Sequence, residues 1–231
     1  MMGNFIPLYV DPSRFKVLIV GGGSVGTRRA FLFRNAGAQV TVVAKEFSGE
    51  LLKAEGVKLV RLDLPGDLEA LEKLIRENDI IVIAVGDERI AEIVAGKALE
   101  LGKLVNNAVN HRIGNVIVPF RASVGGLEVA VTSKGATGLA ARIVLDKIVK
   151  LLEEDVEVKA VYEAMSKLKK LIRESIPDPN LRMRLYKEIG EDGKFRGYVS
   201  RGDSVSAYKR GLEIIKSYGV RLNDEADQQR R

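Results

Sequence analysis

The run Lys16-Val-Leu-Ile-Val-Gly-Gly-Gly-Ser-Val-Gly26 constrains this chain more than any other feature. An apolar strand feeds straight into Gly21, Gly23 and Gly26, and the following residues, Thr27 to Gly37, carry apolar side chains at helical spacing. Each glycine has its own mechanical task. Gly21 permits the tight turn, Gly23 lets backbone approach a pyrophosphate, and Gly26 lets helix and strand pack closely. The helix start at Ser24 and Val25 then presents free N–H groups to phosphate oxygens. This is the pattern of a dinucleotide-binding crossover.

Beyond it, residues 38–44, 56–62, 79–85 and 103–108 read as strands, with helices between them at 68–77 and 88–101. Asp67 is expected to cap the first of these helices. The stretch Asp79 to Val85 is nearly all apolar, as a strand covered by helices on both faces should be. Strands alternating with helices over short loops predict a Rossmann-type doubly wound parallel α/β sheet over residues 1–113. The rhythm then changes. Residues 115–120 and 127–133 are expected to form a hairpin, separated by a stretch that includes Gly125-Gly126. A long helix capped by Ser133 or Thr137 should follow, with Leu139, Ile143, Val144, Ile148, Leu151 and Leu152 on one face. Residues 114–155 are taken as a small hairpin-and-helix region and 156–231 as a helical segment. Its helices are expected at 157–176, 180–190 and 204–218, with a frayed polar end at 222–231.

Composition excludes several chemistries. There is no cysteine and a single histidine, so thiolate catalysis, disulfides, zinc ribbons and multi-histidine metal sites within one chain are ruled out, and no metal site is expected. No apolar run reaches the roughly 20 residues of a membrane helix and the first residues lack a signal-peptide pattern, so a soluble cytoplasmic protein is expected, with no membrane partner. The net charge of +6 comes from basic residues scattered among acidic ones. Without an interleaved basic and aromatic stretch, this favours a small polyanionic ligand over nucleic acid.

In an open parallel sheet the ligand lies beyond the carboxyl ends of the strands. That selects the glycine loop, Ala44 and Lys45, Val85 and Gly86, and Asn106 and Asn107. The second strand often ends in a carboxylate for the ribose of NAD, but here Lys45 and Glu46 follow Ala44. Glu46 as ribose ligand and Lys45 as partner of a 2′-phosphate both stand. Asn106 and Asn107 suit a nicotinamide or a substrate carboxylate, and equally suit a strand-end turn. His111 is either an acid–base group or a solvated loop residue. The loop from Thr132 to Gly138 is either a carboxylate site or a plain helix start.

Taken together, the segment Pro7 to Gly26, Val40-Thr-Val-Val-Ala44, Leu104-Val-Asn106, Val116-Ile-Val-Pro119 and Val129-Ala-Val-Thr-Ser-Lys-Gly135 closely resemble the precorrin-2 dehydrogenase family of sirohaem synthesis. The resemblance covers roughly residues 5–155. It implies NAD-dependent oxidation of precorrin-2, a polycarboxylate tetrapyrrole, to sirohydrochlorin, and a homodimer, with residues 114–155 as its dimerisation region. Arg112, Ser133, Lys134 and Arg142, with Asn107, become candidate substrate contacts. In this family an Asp-Asp pair follows the fifth strand, its first member the residue usually assigned to catalysis and to chelation. Here Val109 and Asn110 stand there, so ferrochelatase activity is placed in doubt and catalysis falls to Asn110 and His111, to water or to the substrate itself. Two other readings remain from the sequence: a nucleotide-sensing module, and a tetrapyrrole-binding relative that has lost catalysis.

Overall fold

The computed structural model describes residues 5–220, so the expected frayed end at 222–231 lies outside the described residues. The chain divides into two compact units, one running through Pro119 and taking in Thr132–Thr137, the other holding Phe120–Val131 and the chain from Gly138 onward.

In the first unit, β1 (Lys16–Val20), β2 (Gln39–Ala44), β3 (Val57–Arg61), β4 (Ile80–Ile83) and β5 (Leu104–Asn107) form one parallel sheet in the order β3-β2-β1-β4-β5. The order reverses between β1 and β4, where a doubly wound sheet opens its ligand crevice. Helices α1 (Ser24–Asn35), the short α2 (Gly49–Leu52), α3 (Leu68–Glu77) and α4 (Glu88–Glu100) connect the strands. Because side chains alternate along a strand, β1 supplies both cores: Val17 and Ile19 pack with Ala30 of α1 and Leu51 of α2, while Leu18 and Val20 pack with Leu71 and Ile75 of α3 and Val94 of α4. All four of these β1 residues are fully buried. Burial on both faces is what their near-continuous apolar character predicts.

Two local expectations are met only in part, for identifiable reasons. Asp67 occupies the N-cap position of α3 as expected, but its carboxylate accepts from the backbone N–H of Asp63 and not from the first turn of the helix. Of residues 115–120 only Phe120 belongs to the first hairpin strand. The backbone N–H groups of Asn115 and Val116 both donate to the carbonyl of Val105, laying this stretch against β5. Pro119 lacks the N–H that a strand ladder needs.

In the second unit the hairpin is β6 (Phe120–Val124) and β7 (Leu127–Val131), antiparallel with Val124 opposite Leu127. Gly125 and Gly126, with φ of 56° and 81°, make the two-residue turn, and left-handed backbone at both positions is the type I′ geometry that glycine alone adopts without cost. Next come α5 (Gly138–Glu154), α6 (Val156–Ser175), α7 (Pro179–Glu191), α8 (Gly193–Val199) and α9 (Ser204–Ser217). The break expected at Gly190 to Gly193 is a corner: Asp192 ends α7, and its side chain accepts from Phe195 N to start α8, a helix not foreseen from the sequence. Ala160, Ala164, Leu168 and Ile172 form an i, i+4 stripe on α6 that packs with Leu185, Ile189, Phe195, Ile214 and Ile215. On α5 only Ala141 and Leu145 are buried, whereas the expected apolar face is open, with Leu139 and Leu151 at 72% and 66% exposure. No helix among the described residues is long and apolar enough to cross a membrane.

Candidate cofactor and substrate site

The glycine loop is built by close approach. A Cβ on Gly21, whose φ is 122°, would lie 2.3 Å from the carbonyl oxygen of Ala84, and one on Gly26 would lie 2.0 Å from the carbonyl of Gly21. Gly22 was not singled out from the sequence, yet its Cβ would sit 2.2 Å from the Glu46 carbonyl. Gly23 is different, since a Cβ there would meet no protein atom within 4 Å. It faces open ground at the N-terminus of α1, where it is the N-cap residue with no side-chain cap hydrogen bond. The first-turn donors at Ser24 and Val25 are therefore left without a side-chain acceptor. That is the arrangement that favours a phosphate oxygen.

A hydroxyl relay fixes the loop from behind. Thr27, buried at 3% exposure, donates from Oγ1 to the Gly23 carbonyl at 2.8 Å. Its only hydroxyl proton is thereby used, so in the 2.9 Å contact with Ser48 the serine must donate. Ser48 Oγ in turn accepts from Leu51 N and starts α2, and Ser48 N donates to the Gly22 carbonyl. Neither Thr27 nor Ser48 was legible as part of the site, because the pairing is tertiary.

At the end of β5, Asn106 and Asn107 are almost fully buried, at 7% and 3% exposure. Asn106 donates from Nδ2 to the Val116 carbonyl at 3.0 Å, and Asn107 Oδ1 accepts from Val109 N and Asn110 N at 3.0 and 2.9 Å. These partners fix which way each amide points. What remains, Asn106 Oδ1 and Asn107 Nδ2, is one buried acceptor and one buried donor with no partner among the described residues. A buried polar atom left unmade costs about 1–3 kcal/mol, so such a pair at a sheet's ligand edge fits an amide or carboxylate arriving from outside. Asn107 thus closes the strand-end turn with one atom and Asn106 ties β5 to Val116 with one, and the second polar atom of each is without a partner among the described residues.

Just beyond, Asn110 accepts from Arg112 N through Oδ1 and donates from Nδ2 to Glu88 Oε1 at 3.4 Å. Glu88 is an exposed carboxylate in the first turn of α4, next to Val85, Gly86 and the helix cap Asp87. Sequence reasoning missed it, since 22 residues separate the pair. His111 is exposed and lies on Gly135, where a Cβ would come within 2.4 Å of the imidazole Cγ and Cδ2. Lys134 and Gly135 both have left-handed backbone, with φ of 53° and 88°, and this fold of the loop brings it over His111. Arg112 and Lys134 are the sequence neighbours of the two touching residues, and both are exposed. Ser133 Oγ accepts from Thr137 N at 2.9 Å, which leaves its hydroxyl proton to donate. Arg142 belongs to the second unit and pairs with Asp146 one helical turn away, at 3.1 Å. Lys45 pairs with Asp63 at 2.8 Å, and this contact raises the lysine above its ordinary value. No cluster of three or more metal-ligand side chains occurs among the described residues.

Residues 8–120 match the family model described as "Putative NAD(P)-binding". Over 196 residues the chain is 29% identical to the "Putative precorrin-2 dehydrogenase" of Methanocaldococcus jannaschii, covering 83% of this chain and 92% of that protein. It is 27% identical over 206 residues to the siroheme synthase of Psychromonas ingrahamii, covering 88% of this chain and 42% of that protein. The chain thus spans less than half of this longer relative. The solved structure of "SirC, precorrin-2 dehydrogenase" superposes with a TM-score of 0.67 at 24% identity, covering 93% of this chain and 100% of that one, which shows a shared fold.

Proposed function

We propose that this homologue of the precorrin-2 dehydrogenases oxidises precorrin-2 to sirohydrochlorin with NAD. The observation that carries the reading is one sheet edge holding an uncapped glycine cradle together with two buried, half-satisfied amides. Bound NAD+ supplies the hydride acceptor, and the second hydrogen leaves the macrocycle as a proton. The chain's own part is to bind, to orient and to receive that proton. The first turn of α1 holds the pyrophosphate at Ser24 and Val25, with Val85 and Gly86 alongside. Asn106 Oδ1 and Asn107 Nδ2 hold the nicotinamide amide or a substrate carboxylate. Arg112 and Lys134 meet the carboxylates of the tetrapyrrole. Two groups can receive the proton: His111, set by its contact with Gly135, and Glu88, set by Asn110. Asn110 then acts as a positioning residue.

Anaerobic turnover of precorrin-2 with NAD+, read by sirohydrochlorin absorbance, tests this. Wild type should turn over, and Glu88→Gln or His111→Ala, whichever removes the acceptor, should lower kcat by about 100-fold or more. Tight tetrapyrrole binding without turnover would make the chain a carrier. With Val109 and Asn110 where relatives hold carboxylates, Fe2+ or Co2+ insertion should stay at background. The open apolar face of α5 is the surface we assign to a homodimer, and sedimentation at micromolar concentration giving a monomer would overturn that assignment.

A further inference from the structure

The adenosine end of the crevice carries a charge arrangement that no single motif predicts. The β2–β3 ladder continues past its last paired residues, Ala44 and Arg61, through a bond from Leu62 N to the Ala44 carbonyl. One residue further, Asp63 arrives beside Lys45, with Oδ2 2.8 Å from Nζ. Asp63 is held there by its own turn, since its N–H donates to Asp67 Oδ2 at 2.6 Å and its carbonyl accepts from Asp67 N at 3.2 Å. This explains why the Asp67 side chain does not cap α3. Its carboxylate is used to pin the residue that meets Lys45. Glu46, the next residue along, is exposed, and its carbonyl lies against Gly22 at the base of the cradle.

In a dinucleotide-binding unit the end of the second strand faces the ribose of the adenosine half, where a carboxylate favours the diol of NAD and a free cation favours the 2′-phosphate of NADP. Here one ammonium stands with two carboxylates, and the ammonium is already matched. We propose that Asp63 is a specificity-determining residue that selects NAD over NADP by holding Lys45 and by presenting a second negative charge, with that of Glu46, to an incoming 2′-phosphate. The proposal rests on the dinucleotide reading above. It adds that the preference resides in a residue of the β3 end, outside the position where it is ordinarily sought.

The test is fluorescence titration of the intact chain with NADH and with NADPH. It has no tryptophan, which leaves the reduced-nicotinamide signal clear. Wild type should bind NADH more tightly. Asp63→Asn should shift the NADH to NADPH affinity ratio toward NADPH by about tenfold, the scale of one screened like-charge contact and one released exposed ion pair. Asp63→Asn/Lys45→Ala should lose that gain. A ratio within about twofold of wild type in Asp63→Asn, or a wild type that prefers NADPH, overturns the proposal. So does a gain that survives Lys45→Ala, which would hand the cation to Arg61 opposite Ala44. Binding of neither form overturns it together with the dinucleotide reading, whereas absence of precorrin-2 turnover leaves it standing.

Discussion

The two units start their helices differently. In the second unit α6, α7, α8 and α9 each begin at an aspartate, Asp155, Asp178, Asp192 and Asp203, whose side chain accepts a backbone N–H of the first turn. In the first unit α2 and α4 are capped in the same way by Ser48 and Asp87, but α1 begins at Gly23 with no side-chain acceptor. A helix leaves four N–H groups unsatisfied at its start, and a cap meets one or two of them. α3 also lacks a side-chain cap, because the Asp67 carboxylate is taken by the Asp63 N–H, whereas α1 lacks one because Gly23 has no side chain to offer. A glycine N-cap directly after a glycine loop leaves the first-turn donors of α1 open to an acceptor from outside the chain.

That contrast can be broken most severely at Gly26. In Gly26→Ala the new methyl would press on backbone, 2.0 Å from the Gly21 carbonyl. We expect NADH affinity to fall by more than about 100-fold and stability to drop by about 3 kcal/mol, read by titration and thermal unfolding. Gly23→Asp separates the two roles of the helix start. The side chain has room, so stability should hold or rise by about 0.5 kcal/mol, while a carboxylate at the N-cap should cost about 100-fold in NADH binding. Unchanged binding in this variant would show that the free donors of α1 serve no ligand.

In the second unit, Asp192→Ala removes both the α8 cap and the acceptor of the Arg210 fork, whose Nε and Nη2 donate at 3.1 and 2.8 Å. The expected loss is about 2 kcal/mol, with NADH affinity unaltered. Arg210, aided by the amides of Phe195 and Lys194, holds the Asp192 carboxyl at about 2, below the ordinary 3.8. A carboxyl depressed on folding stabilises fully above about pH 4 and loses that contribution as pH falls toward 2. The variant should therefore show a shallower decline of Tm below pH 4 than wild type. Asp203→Ala, a cap without the fork, should cost about 1 kcal/mol, the smallest effect of the series.

Much of the first unit was legible because its strands are short apolar runs joined by glycine and asparagine turns, and the order of such elements nearly dictates a doubly wound sheet. The hairpin was misplaced because Val116, Ile117 and Val118 look more like a strand than Phe120-Arg-Ala-Ser-Val124 does, and burial against β5 outweighs that local preference. Helix α8 was hidden by its seven-residue length and by a single aspartate that both ends one helix and starts the next. The glycine cradle could be read from spacing alone. Glu88, Thr27, Ser48 and Asp63 could not, since each acquires its role from a partner distant in sequence. The apolar face of α5 was read correctly as a stripe, but the sequence does not tell whether a stripe is covered by its own chain.

The stretch after β5 has a consequence for solubility. β5 is the last strand of its sheet, and a bare outer strand is a template for pairing with another molecule. Here Asn115 imitates a neighbouring strand with one side chain, accepting from Val105 N at 2.6 Å and donating to the Lys103 carbonyl at 3.0 Å, while its own N–H and that of Val116 occupy the Val105 carbonyl. Gly114 lets the chain come this close, since a Cβ there would stand 2.9 Å from that same carbonyl. The border is sealed from within by a few residues of irregular backbone, so the sheet cannot be extended on this side by a strand from another molecule, and a side chain at position 114 would reopen the seam to aggregation.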